Sequence, residues 1–240
     1  MPSASMAQLT ADFTPSKTSG CSPLAVSFTN ISTGASAAAT YIWNFGNGNG
    51  ISTNDRNTPV AATYFTGQDY TITLTVKDGA QTITKTRIIT VYKSPVIDFS
   101  ITDTLGCTPL STSFTGIANP GDGTVTGYFW DFGDGKTMNT VVATVSNTYL
   151  FPGKYSVSLT VTNSFGCSNT LKKINVITVL PALALGFSVD SPTVCSLNHP
   201  LLFNNTSTGT GPLTYVWNFG DGGNSTVRIL PTNMQPKACI

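Results

Sequence analysis

One phrase occurs three times in this chain of 240 residues: YIWNFGNGN at 41–49, YFWDFGDGK at 128–136 and YVWNFGDGG at 215–223. Its tryptophans, Trp43, Trp130 and Trp217, stand 87 residues apart. That interval is the size of a small domain, so the repetition marks tandem domains rather than a solenoid of short repeats. Flanking features keep the same register. Upstream of each tryptophan come an aromatic (Phe13, Phe99, Phe187), a cysteine (Cys21, Cys107, Cys195) and an alternating run ending at Phe28, Phe114 or Phe203. Downstream, the first two units share TYFTGQDYTITLTVKD and TYLFPGKYSVSLTVTN, and the third has no counterpart.

Within each unit the apolar period is two. Tyr70, Ile72, Leu74 and Val76 alternate with threonines, as Tyr155, Val157, Leu159 and Val161 alternate with hydroxyl or small residues. One face greasy and the other hydroxylated is the pattern of a half-buried antiparallel strand. Turn residues recur at short intervals and no segment shows a helical period, so the fold class is all-β, an array of sandwiches. In YFWDFGDG, Tyr128, Trp130 and Phe132 share one parity and are expected to point inward. Phe45 follows Trp43 at the same spacing, as Phe219 follows Trp217. The strand then enters Gly133-Asp134-Gly135, a tight turn whose glycines accept positive φ and whose aspartate bonds its own backbone.

Charge excludes several function classes. Only 10% of residues are Asp, Glu, Lys or Arg, and the formal net charge is +1. That balance leaves no footprint for nucleic acid or for an acidic membrane surface. The most apolar run, VITVLPALALGF at 176–187, is too short to span a bilayer and carries Pro181, so no membrane insertion is expected. Abundant Thr, Ser, Asn and Gly point to an extracellular setting. The first residues, MPSASMAQLTADF, lack a basic patch and an apolar core, so no signal peptide is visible. The chain is expected to be a piece of something longer.

The motif W-[DN]-F-G-[DN]-G followed by Y-x-V-x-L-x-V resembles the PKD (polycystic kidney disease) repeat family. The resemblance covers nearly the whole chain and implies immunoglobulin-like β-sandwiches, two complete and a third incomplete at its C-terminal side: residues 8–93, 94–180 and 181–240. It also implies non-catalytic spacers, or modules that contact protein or polysaccharide. The GC-x-PL segments resemble PKD units of large secreted or surface-attached bacterial proteins, which suggests gliding motility or type IX secretion as one setting.

The repeated phrase is expected to be a structural corner. The first unit has Asn44 and Asn47 where the second has Asp131 and Asp134, and the third pairs Asn218 with Asp221. A metal or acid–base site would lose its chemistry on losing both carboxylates. A turn that needs only a side-chain oxygen accepts either residue. The single histidine, His199, occurs in one unit only and assembles no catalytic or zinc set. The chain therefore reads as non-enzymatic, with no cofactor and no metal. The tryptophans lie on the inward parity, which leaves Tyr92 and Phe151 as the rings more exposed to a sugar.

The cysteines suggest how units join. In a sandwich of seven strands with alternating directions, the first turn and the last hairpin lie at opposite ends. A seven-residue strand spans about 23 Å, and a disulfide needs Cα atoms within roughly 7 Å. Cys107 and Cys167 of one unit are thus kept apart. Stacked end to end, the last hairpin of the second unit faces the first turn of the preceding one, so the expected bridge is Cys21–Cys167, between domains. Cys107 then awaits a cysteine from the third unit's missing hairpin. The tail VRILPTNMQPKACI shows no alternation, and the third unit is expected to lack its last two strands and to expose Trp217, Phe219 and Phe203. The resulting reading is a spacer and adhesion module joined to neighbouring domains, with weak protein or polysaccharide contacts. The alternative is an accessory region of a secreted hydrolase acting on polysaccharide or collagen-like material.

Overall fold

The computed structural model describes residues 8–190, 201–220, 222–226 and 229–232. Cys195, His199 and Asp221 lie outside the described residues. Every regular element among them is a β-strand, and none is a helix long and apolar enough to cross a membrane.

The first unit contains β1 (Phe13–Pro15), β2 (Ser19–Cys21), β3 (Leu24–Asn30), β4 (Thr40–Asn44), β5 (Gly50–Thr53), β6 (Val60–Tyr64), β7 (Asp69–Asp78) and β8 (Gln81–Tyr92). They form two sheets, β1-β3-β6 and β2-β8-β7-β4-β5. The second unit repeats the plan with β9 (Val96–Ile101), β10 (Leu105–Cys107), β11 (Leu110–Asn119), β12 (Val125–Asp131), β13 (Thr137–Thr140), β14 (Thr144–Tyr149), β15 (Gly153–Asn163) and β16 (Ser168–Leu180). Its sheets are β14-β11-β9 and β10-β16-β15-β12-β13. Two facing sheets with a core between them make each unit an immunoglobulin-like sandwich.

The alternation explains the packing. In β7 every second residue faces the core: Tyr70, Ile72, Leu74 and Val76 are buried while the intervening threonines are not. Val157, Leu159 and Val161 do the same in β15. Each tryptophan lies on the strand next to that alternating one, with Trp43 opposite Leu74 and Trp130 opposite Leu159. Phe13 meets the Trp43 ring edge-on at 5.1 Å, and Phe99 meets Trp130 the same way at 5.4 Å. Such edge-to-face contacts add to the gain from burying the rings.

A cation from the last strand closes each sandwich. Arg87 donates from Nε to the Phe13 carbonyl at 2.7 Å, lies over the Phe13 ring and pairs with Asp12 at 3.0 Å. Lys173 does the same for the Phe99 carbonyl, the Phe99 ring and Asp98. Its hydrogen bond, with that of the Phe99 N–H, holds the Asp98 carboxyl below its ordinary range.

One expectation needs correction. Strand directions do not all alternate, because β2 runs parallel to β8 and β10 parallel to β16. Cys21 and Cys107 therefore end short strands rather than sit in a turn. The third unit is described only in part, and its tail, though it lacks alternation, includes a short strand. Its elements are β17 (Phe187–Val189), β18 (Leu201–Asn205), β19 (Trp217–Asn218), β20 (Asn224–Ser225) and β21 (Ile229–Thr232), in sheets β17-β18-β21 and β19-β20. β21 pairs with β18 as β6 pairs with β3, and backbone pairing needs no side-chain period.

Candidate functional site

The tryptophan corner is built alike in the first two units, and its described part in the third follows the same plan. Asp131 Oδ1 accepts the Gly133 N–H at 2.9 Å, and Asp134 Oδ1 accepts the Lys136 N–H at 3.0 Å. Asn44 and Asn47 accept from Gly46 and Asn49 at 2.9 and 3.1 Å, and Asn218 accepts from Gly220 at 3.0 Å. Amide and carboxylate oxygens thus do the same work, capping a turn that lets β4 and β12 reverse. Asp134 also accepts from Asn147 Nδ2 at 2.9 Å and lies 3.5 Å from Lys136 Nζ. Beneath it the Tyr149 hydroxyl donates to the Phe132 carbonyl at 3.0 Å, and burial pushes its phenol up to about 12. Among the described residues no group of three or more His, Cys, Asp or Glu is placed to hold a metal ion.

Gly133 is needed twice over. Its φ of 77° is a left-handed conformation, and a Cβ there would lie 2.3 Å from the Ser156 carbonyl oxygen. Gly135 has φ 89°, but a Cβ would meet nothing within 4 Å. Gly133→Ala is expected to cost the second unit about 3 kcal/mol, because steric contact adds to the left-handed strain, and Gly135→Ala about 1 kcal/mol. Urea unfolding of the two variants measures the difference.

The tryptophans differ in depth. Trp43 and Trp130 are buried, together with Phe45 and Phe132, whereas Trp217 and Phe219 are half-buried. The third unit keeps the same aromatic set, with Phe187 edge-on to Trp217 at 5.7 Å and Phe203 at 6.1 Å. Its rings line an open groove of about 480 Å³ with Leu185 and Tyr215.

The junction between the first two units is a second constellation. Cys21 and Cys167 are joined by a disulfide, with Cα atoms 5.4 Å apart. Cys107 is free and exposed. Tyr92, expected as an exposed ring, instead stacks on Phe165 of the second unit at 4.1 Å with planes 14° apart. Phe151 is 74% exposed. Asn163, buried beside them, donates from Nδ2 to the Lys93 and Pro120 carbonyls and accepts on Oδ1 from the N–H groups of Phe165 and Cys167. Asp122 accepts the Lys93 N–H at 2.7 Å, and Ser94 Oγ donates to the Ser22 carbonyl. Sequence reasoning found the cysteines and missed Asn163, Asp122 and Phe165. The signal was NSFGCS at 163–168, two residues longer than the DGAQ that turns the same hairpin in the first unit.

Two family models described as PKD domain match the chain, at residues 10–91 and 92–179. Human Polycystin-1 is 31% identical over 98 residues, 40% of this chain and 2% of that protein. The PKD1 domain of Vibrio anguillarum Epp is 32% identical, covering 37% of this chain and 98% of that domain, at a TM-score of 0.32. The PKD1 domain of Vibrio cholerae metalloprotease PrtV is 34% identical, covering 36% of this chain and 96% of that domain, at a TM-score of 0.31.

Proposed function

The chain belongs to the PKD domain family, and from that premise we propose that it is a non-catalytic extracellular spacer and adhesion module of a larger bacterial surface or secreted protein. The observation that carries this reading is the junction. A covalent bond, a ring stack and three side-chain hydrogen bonds join the first two units across a linker of only a few residues. A pair held at so many points transmits position, which is what a spacer does. The motif oxygens support the same reading, since they are occupied as turn acceptors. Contacts with protein or glycan fall to the threonine-rich outer faces, where weak contacts gain strength by repetition.

The alternative is an accessory region of a secreted hydrolase, favoured by the similarity to a PKD1 domain of a Vibrio metalloprotease. Binding to chitin, cellulose and collagen separates the two readings. The spacer reading expects no saturable binding by the full chain to any of the three. Saturable binding to one of them, competed by its soluble fragments, replaces that reading with the accessory one.

A further inference from the structure

One strand of the second unit buries a polar side chain where the first unit has none. In β14 the inward positions hold Val145, Asn147 and Tyr149, all buried. β6 carries Val60, Ala62 and Tyr64 at the same places, since Leu24 pairs with Tyr64 as Leu110 pairs with Tyr149. A buried amide is costly unless its groups are paired. Asn147 finds its partners in the adjoining corner. Its Nδ2 donates to Asp134 Oδ2 at 2.9 Å, and its Oδ1 lies 3.5 Å from Lys136 Nζ. Lys136 Nζ is itself 3.5 Å from Asp134 Oδ2 and donates to the Thr148 carbonyl at 2.8 Å.

The three residues change together between units. The first unit has Asn47, Asn49 and Ala62 where the second has Asp134, Lys136 and Asn147, an equivalence fixed by the matching turn bonds Phe45–Asn49 and Phe132–Lys136 and by strand register. The turn uses one oxygen of Asp134, and Asn47 supplies that oxygen equally well in the first unit. The second carboxylate oxygen is left for Asn147 and Lys136. An amine, a carboxamide and a carboxylate in mutual contact are what amide exchange requires: a nucleophile, an acyl carbon and a proton carrier.

We propose that Lys136 and Asn147 are the site of a self-formed isopeptide bond, with Asp134 carrying the protons. Asp134 Oδ2 takes a proton from the Lys136 ammonium. The freed Nζ lone pair then bonds to Asn147 Cγ, and the carbonyl π pair moves to Oδ1. Asp134 passes its proton to Nδ2 and takes a second one from Nζ. As the Oδ1 pair re-forms the carbonyl, the Cγ–Nδ2 bond breaks and ammonia leaves with its electron pair, collecting the second proton as ammonium. Asp134 ends as a carboxylate, and the balance needs no other reactant. Fixing the groups in contact is equivalent to an effective concentration of about 10⁵ M or more for well-oriented reactants. Lys136 is half-exposed, which gives ammonium a way out. The product ties the turn between β12 and β13, in one sheet, to β14 in the other. It closes the sandwich covalently along that edge.

Intact mass tests the bond directly. The full chain, held for days at neutral pH, is expected to weigh less than its sequence by one ammonia. Trypsin then fails to cut after Lys136, and fragmentation places a bridge between Lys136 and Asn147. Asp134→Asn keeps the turn oxygen and is expected to form the bond at least about a hundredfold more slowly, the contribution of a positioned acid–base group. Asn147→Ala, which installs the residue of the first unit, is expected to keep its native circular dichroism and its full sequence mass. A native chain that stays at its full sequence mass overturns the proposal. Loss of ammonia with trypsin still cutting after Lys136 also overturns it, because that marks a succinimide of Asn147 with Thr148, which mild base hydrolyses. A wild-type rate in folded Asp134→Asn overturns the assignment of Asp134.

Discussion

Trp130→Ala lowers the unfolding free energy of the second unit by about 4 kcal/mol, in the range for truncating a buried tryptophan. The ring is fully buried and touches Phe99, Phe114 and Phe132, with centroids 5.4, 5.7 and 6.3 Å away. Phe99 and Phe114 lie in the opposite sheet, so removing the indole opens a cavity at the seam between layers. One effect works the other way: Nε1 of Trp130 is buried with no hydrogen-bond partner, and deleting it relieves that desolvation. Hence the expected value is below the upper end of the range. Small domains have about 5–15 kcal/mol in all, so the variant sits close to its unfolding threshold. Trp217→Ala, at a half-buried ring, is expected to cost less than half as much. Differential scanning calorimetry and amide exchange read the two variants. A loss of under about 1 kcal/mol at Trp130 removes the tryptophan as the anchor of the sandwich.

The sandwiches were legible because their strands carry the information twice. Alternation in 70–76 and 155–161 names the strand and its buried face together, and the repeat names the same strands again. The corner was legible because asparagine and aspartate share one oxygen geometry, and three copies showed that either suffices. β2 and β10 were not legible: three residues are too few to show a period, and their parallel pairing with β8 and β16 is a long-range choice. β21 carries no such signal either, since ILPT has no alternation and is held through backbone pairing with β18. The junction was half legible. Cysteine spacing and strand length placed one unit's last hairpin near the preceding unit's first turn. The burial of Asn163 depends on a turn conformation that presents two of its own N–H groups to one side-chain oxygen, which no spacing rule reports.

Breaking the Cys21–Cys167 bridge is expected to uncouple the first two units. The bridge closes a stretch with a sequence separation of 146 residues. In the chain-entropy account, a loop of that length adds about 5 kcal/mol, here shared by two domains, because the unfolded ensemble loses the most freedom when a long loop is closed. The remaining contacts are a ring stack and hydrogen bonds, which are worth about 0.5–1.5 kcal/mol each. The oxidised chain should therefore show one thermal transition for 8–180. Cys167→Ser, or reduction of the native chain, should split it into two and lower both midpoints. Small-angle scattering should show a broader distribution of lengths in the reduced form, because only the Tyr92–Phe165 stack and a few hydrogen bonds then hold the linker. Cys107→Ser serves as the control and should change neither readout, since that thiol is free. If reduction leaves one transition and an unchanged length distribution, the stack and the Asn163 hydrogen bonds hold the pair by themselves. The disulfide is then incidental to the stiffness on which a spacer depends.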